Sequence, residues 1–189
     1  QRPLFRKYGI EEGKFWPQTK EMKDGAAARG VNLDNEIAYL NLILRHVRGG
    51  KFGKLSNAEL RELGKEIELY PGLPDFFPRI KKNIEENPKY KVHDITLEHY
   101  VISTGLKPMI EGSLVGAHLK GVFASEFLED EQGMEDQRGI VSEIARAIGY
   151  AKKTEFIHLI NKGGNVNPAI DVNGVLEPEK RRIPFENML

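Results

Sequence analysis

At 189 residues, with 40% hydrophobic and 30% charged residues, the chain is long enough to bury a core as one large domain or two modest ones. Its 28 basic residues balance 28 acidic ones, so no global field favours nucleic acid or an anionic membrane. The absence of cysteine excludes disulfides, thiolate metal sites and cysteine nucleophiles, and no apolar run approaches the ~20 residues that span a bilayer.

With no apolar signal-peptide region either, the reading is a cytoplasmic protein whose partners are neither nucleic acid nor membrane. Gln1 stands where an initiating methionine would, and the sequence closes on the apolar pair Met188-Leu189; both suggest a piece of something longer.

Residues 1–23 carry Leu4, Phe5, Tyr8, Ile10, Phe15 and Trp16 without a clean period, broken by Gly9, Gly13 and Pro17, and suit two short helices around a turn. Asp34 can cap an amphipathic helix built on Ile37, Leu40, Leu44 and Val47 and stopped by Gly49-Gly50. The next stretch, Lys51-Phe52-Gly53-Lys54-Leu55-Ser56, is no nucleotide loop. Arg48 occupies the place of that motif's first glycine, and Leu55 stands where Ser or Thr should follow the lysine. It reads instead as a turn leading to the capping box Ser56-Asn57-Ala58-Glu59 and a helix through Leu60, Leu63 and Ile67.

At Leu69 the texture changes. Pro71, Gly72, Pro74 and Pro78 mark a re-entry, and Leu73, Phe76, Phe77, Ile80 and Ile84 form a helical apolar stripe to about Glu86. A strand is expected from Lys91 to Asp94, and a second in Tyr100-Val101-Ile102-Ser103-Thr104-Gly105, where a β-branched run ends on two hydroxyls and a glycine. A helix from Pro108 to Leu119 follows, then the strand 122–128, an acidic loop from Glu129 to Arg138, a looser strand from Ile140 to Ile148, and a helix opened by Lys152-Lys153-Thr154 with Phe156, Ile157 and Ile160 inward. The loop-rich tail from Asn165 turns apolar again at Ile183, Phe185 and Met188-Leu189, like the start of a strand. Helices first and alternating strands and helices afterwards argue for an α/β fold: a helical unit over residues 1–68 and an α/β unit over 69–189.

A strand that stops on Ser103-Thr104-Gly105 and hands over to a helix with Pro108 in its first turn presents hydroxyls and backbone N–H groups at its carboxyl end, where open α/β sheets bind ligands, phosphates especially. The plainer alternative is a strand end that caps the following helix. Lys152 and Lys153 are alternatives for a cation at the start of the last helix, and either could simply be solvated. The histidines form no metal site: His93 and His99 are placed on one face of a strand pair but far apart, and His46, His118 and His158 sit singly on helices. Glu129, Asp130, Glu131, Glu135 and Asp136 read as a solvated loop rather than an ion site, and Tyr8, Phe15 and Trp16 as packing rather than a substrate entrance.

Leu69-Tyr70-Pro71-Gly72 with its helix, the strand through Ser103-Thr104-Gly105, the strand Phe123-Ala124-Ser125-Glu126-Phe127 and the helix opened by Lys153-Thr154-Glu155 together resemble the middle of a haloacid dehalogenase superfamily hydrolase, in its phosphoserine-phosphatase-like branch. The resemblance covers the chain from Leu69 onward. It implies a Rossmann-like three-layer α/β/α core with a mostly parallel sheet, and a helical cap formed by residues 1–68. It also implies a magnesium-dependent phosphatase acting on a small phosphate monoester through an aspartyl-phosphate. Carried over, Ser103 matches the hydroxyl that holds the phosphate, with Thr104 and Gly105 beside it as binding residues, and Lys153 matches the phosphate-binding lysine.

The family's nucleophilic Asp-x-Asp and its later glycine-aspartate motif are not in this sequence; they would fall just before Gln1 and just after Leu189. The 189 residues alone are therefore expected to be inactive, and the main magnesium ligands are expected outside them. Loss of the first core strand would leave an open sheet edge, through which a homodimer could form. The alternative of another class is an inactive binding or scaffold module of the same architecture.

Overall fold

In a computed structural model, residues 1–133, 135 and 137–161 are described. The expected strand beginning at Ile183 and the tail from Asn165 lie outside those residues.

Two helices, α1 (Arg2–Lys7) and α2 (Glu12–Ala27), form the first part, as the interrupted apolar pattern suggested, and α2 continues through Pro17 and the alanine run. Helix α3 (Asn35–Arg48) starts and stops as its sequence dictates and contributes Ala38, Tyr39, Leu40, Leu42, Ile43, Leu44 and Val47 to the core. Asp34 stands at its N-cap in extended backbone without making a side-chain capping bond. At α4 (Asn57–Gly64) half of the capping box forms. The Ser56 hydroxyl accepts from the Glu59 N–H at 3.0 Å, while the Glu59 carboxylate turns away to Lys7 and the Tyr8 hydroxyl.

Helix α5 (Phe76–Glu85) has the expected apolar stripe but buries none of its residues. The strand expected over 91–94 is absent. Asn87 caps a one-turn helix, α6 (Pro88–Lys91), by accepting from the Lys89 N–H at 3.0 Å, and turn bonds from His93 to Tyr90 and from Asp94 to Lys91 continue the coil. Val92 is 77% exposed, so no burial favours an extended alternative. His93 therefore lies in a turn, and the strand pair expected to carry His93 and His99 does not exist.

Strand β1 (Tyr100–Leu106) leads directly into α7 (Lys107–Gly112), which is shorter than the expected 108–119 helix. The cause is a contact remote in sequence. A Cβ on Gly112 would stand 1.9 Å from the Arg61 carbonyl oxygen, and one on Gly64 would stand 2.3 Å from that of Met109. Helices α4 and α7 thus touch backbone to backbone, and the chain leaves α7 through an extended Ser113 before a single 3-10 turn at Gly116–His118.

Strand β2 (Gly121–Glu129) pairs parallel with β1, and β3 (Val141–Arg146) pairs antiparallel with β2. The sheet is thus small and mixed, in the order β1-β2-β3, rather than mostly parallel. Helix α8 (Tyr150–Asn161) closes the described chain with Phe156 and Ile160 buried; Ile157, expected inward, is exposed. No helix among the described residues is long and apolar enough to cross a membrane.

The result is a mixed α/β protein. Its main hydrophobic cluster joins Leu4, Phe15, Leu40, Ile43, Leu60 and Leu63 to Leu106, Met109, Phe127 and Val141, so side chains from both sides of the expected boundary near Leu69 share one core.

Candidate functional site

The carboxyl end of β1 is the most irregular part of the sheet. Ile102 pairs with Phe123 and Leu106 with Ser125, so Ser103, Thr104 and Gly105 stand opposite Ala124 alone and bulge from the ladder. Within the bulge the Ser103 hydroxyl oxygen accepts from the Gly105 N–H at 3.0 Å. This fixes the oxygen and leaves its hydrogen to donate elsewhere.

The Thr104 carbonyl oxygen accepts from two hydroxyls, Tyr39 of α3 and Ser125 of β2, the latter at 3.1 Å. Burial pushes the Tyr39 phenol up to about 12, so it is the neutral donor at any physiological pH. Ser125 is fully buried and also accepts from the Ile148 N–H at 3.2 Å. Ile148 lies two residues before α8, so Ser125 links the end of β1 to the beginning of α8.

Phe156 then stacks on Phe123 of β2, with ring centroids 4.5 Å apart, and Phe123 stacks in turn on Tyr100 of β1. Helix α8 therefore lies across β1 and β2 with its first turn at the strand end that carries Ser103. Lys153 is in that turn, half-buried, one turn ahead of Phe156. Lys152 is held by Glu155 of its own helix at 2.6 and 2.8 Å. Ser103, Thr104, Gly105 and Lys153 thus all belong to one end of the sheet.

Three charged residues beside this end, Lys107, Glu126 and Arg146, were not among the candidates that the sequence offered. Glu126, next to Ser125, has one carboxylate oxygen 3.1 Å from the Lys107 ammonium and 3.7 Å from the Arg146 guanidinium. The Arg146 guanidinium also sits 5.7 Å from the centre of the Phe156 ring. A lysine in the first turn of α7 opposes the helix dipole, and that mismatch was the available clue for Lys107.

Elsewhere His99 and His118 flank the Phe77 ring at 4.9 and 5.8 Å, and burial, then Lys81 and His118, hold His99 below its usual range. Asp130 accepts from the Gln132 and Gly133 N–H groups in a loop turn. No group of three His, Asp or Glu side chains among the described residues could hold a metal ion.

No family model matches the chain, and no solved structure matches it. It is 28% identical over 197 aligned positions to a protein of Borreliella burgdorferi described as uncharacterized; the alignment spans the whole of this chain and 67% of that protein.

Proposed function

We propose that these residues are part of a haloacid dehalogenase-like phosphohydrolase acting on a small phosphate monoester, with the helices of residues 1–68 as its cap. The observation that carries the reading is the bulged strand end, where Ser103 is held by the Gly105 N–H with its hydroxyl hydrogen available to donate. Phosphoryl transfer depends on positioning and on neutralising charge over the equatorial oxygens, for which a fixed hydroxyl and one ammonium are suited. In this reading Ser103 donates to one phosphate oxygen and Lys153 neutralises another.

Covalent transfer of this kind also needs a carboxylate nucleophile and magnesium. We assign both to sequence flanking these 189 residues. Two observations support that assignment: β1 is the terminal strand of the sheet among the described residues, and the Borreliella burgdorferi relative extends beyond the matched region by a third of its length.

The test has two steps. The reading frame around these residues is read for an Asp-x-Asp before Gln1 and a Gly-Asp after Leu189, and the protein it encodes is assayed for magnesium-dependent hydrolysis of p-nitrophenyl phosphate. Turnover that is lost in Ser103→Ala supports the reading. A frame without the two motifs, or turnover by the 189 residues alone, overturns it.

A further inference from the structure

Away from the end of β1, helices α2 and α3 enclose an open cavity of about 480 Å³ whose wall includes Met22, Arg29, Arg45, His46 and Lys51. A second cavity of about 380 Å³ adjoins it, sharing Met22, Arg29 and Arg45 and adding Val31 and Leu33. Such volumes are typical of sites for small molecules.

The charges on this wall are lopsided. Arg29, Arg45 and Lys51 converge on the first cavity against one carboxylate, Glu21, and none of the three has an ion-pair partner among the described residues. Elsewhere in α2 and α3, Lys14 pairs with Glu11 at 2.7 Å, Lys23 bonds the Asn35 amide oxygen and Arg48 bonds the Ser142 carbonyl at 3.0 Å. Unneutralised cations on a concave wall focus a positive potential into the space they enclose.

A second, independent observation comes from the same wall. His46 is 6% exposed, with its ring between Phe15 at 5.8 Å and Phe52 at 5.3 Å, and its Nε2 is buried without a hydrogen-bond partner. Buried side-chain nitrogens are nearly always satisfied, so this unpartnered nitrogen on a residue of the cavity wall is exceptional.

We propose that the groove between α2 and α3 binds a small molecule that carries at least two oxyanion charges and an apolar body. Arg29 and Arg45 clasp the charged end by their guanidinium forks and Lys51 adds a third cation. The apolar body lies along Met22, Val31 and Leu33 in the adjoining cavity. The site is separate from Ser103 and Lys153 and does not depend on their role.

Isothermal titration of the 189-residue chain with inorganic pyrophosphate, citrate and adenosine diphosphate tests this. Pyrophosphate or adenosine diphosphate binding more tightly than citrate marks a phosphate ligand, and the reverse a polycarboxylate. Binding of either class is expected with Kd below about 1 mM, weakened at least tenfold in Arg29→Gln/Arg45→Gln and unchanged in Lys65→Gln, an exposed cation on another face. Both arginines are exposed, so the double variant keeps the thermal midpoint of the parent. The His46 ring resonances shift on binding. Equal affinity in the double variant, or no binding of any probe at about 10 mM, overturns the proposal.

Discussion

Ser125→Ala is the most informative single change, because one buried hydroxyl ties β1 to α8. Two bonds disappear with it. The Thr104 oxygen loses its 3.1 Å donor but keeps the Tyr39 hydroxyl, so that loss costs about 1 kcal/mol net. The Ile148 N–H loses its 3.2 Å acceptor in a site with no exposed surface, and an unsatisfied buried donor costs about 1–3 kcal/mol. The sum is about 3 kcal/mol, which for a chain of this size lowers the thermal midpoint by about 6–12 °C. Urea unfolding followed by circular dichroism reads the stability, and hydrogen exchange at Ile148 reads the local effect, which is faster exchange at that amide. Ser142→Ala serves as control. Its hydroxyl makes an exposed 3.5 Å contact with Leu128, and its removal changes stability by less than about 0.5 kcal/mol. A loss below about 0.5 kcal/mol in Ser125→Ala would refute the linkage.

The backbone contact between α4 and α7 makes Gly112→Ala and Gly64→Ala each destabilising by about 3 kcal/mol, since backbone must move to admit the methyl. Gly13→Ala, at an α2 position with nothing within 4 Å, instead stabilises by about 0.5–1 kcal/mol; urea midpoints measure all three. Tyr39 titrates near 10 when unfolded and about 12 when folded, so the folded state holds its proton more tightly. The stability this provides is complete below pH 10 and is lost as pH rises through about 12, and Tyr39→Phe flattens that alkaline limb in pH-dependent unfolding curves. If Ser103 and Lys153 hold the phosphate as proposed, Ser103→Ala and Lys153→Ala in the protein encoded by the whole reading frame each lower kcat by about 10²–10³ with p-nitrophenyl phosphate, the loss of one donor to a charged transition state. Lys152→Ala, whose ammonium is already held by Glu155, leaves kcat within a factor of about 3.

The parts of the fold that were legible in the sequence are those where local pattern and burial agree. Helix α3 has apolar periodicity, a glycine stop and a buried face, and its limits were readable. The strands β1 and β2 were readable from β-branched and aromatic runs bounded by glycine. Where the reading failed, a contact distant in sequence, or the lack of one, decided the outcome. The apolar spacing of Met109, Ile110, Leu114 and Val115 supports a longer α7, but the approach of Arg61 to Gly112 ends it, and Leu114 is left 60% exposed. The 91–94 segment has strand-like residues with nothing to bury them, so Asn87-Pro88 wins. At the strand end, the Ser103-Thr104-Gly105 signal was local and visible. The Lys107–Glu126–Arg146 cluster was not, because its members come from three elements whose adjacency is set by the sheet.

The Tyr39 and Ser125 bonds place a further demand on any function at the end of β1. Tyr39 belongs to the helical part and Ser125 to the sheet, and both donate to one carbonyl, that of Thr104, in the middle of the bulge. A movement of α3 relative to the sheet must break the Tyr39 bond, while the Ser125 bond stays with the strands. Tyr39 thus couples the position of α3 to the backbone that orients Ser103, and Ser125 fixes that backbone from the sheet side. If residues 1–68 act as a cap that opens to admit substrate, Tyr39→Phe loosens closure and changes KM more than kcat. Ser125→Ala misplaces the Ser103 donor itself and lowers kcat. Opposite assignments of those two effects would mean that Thr104 is held for stability alone.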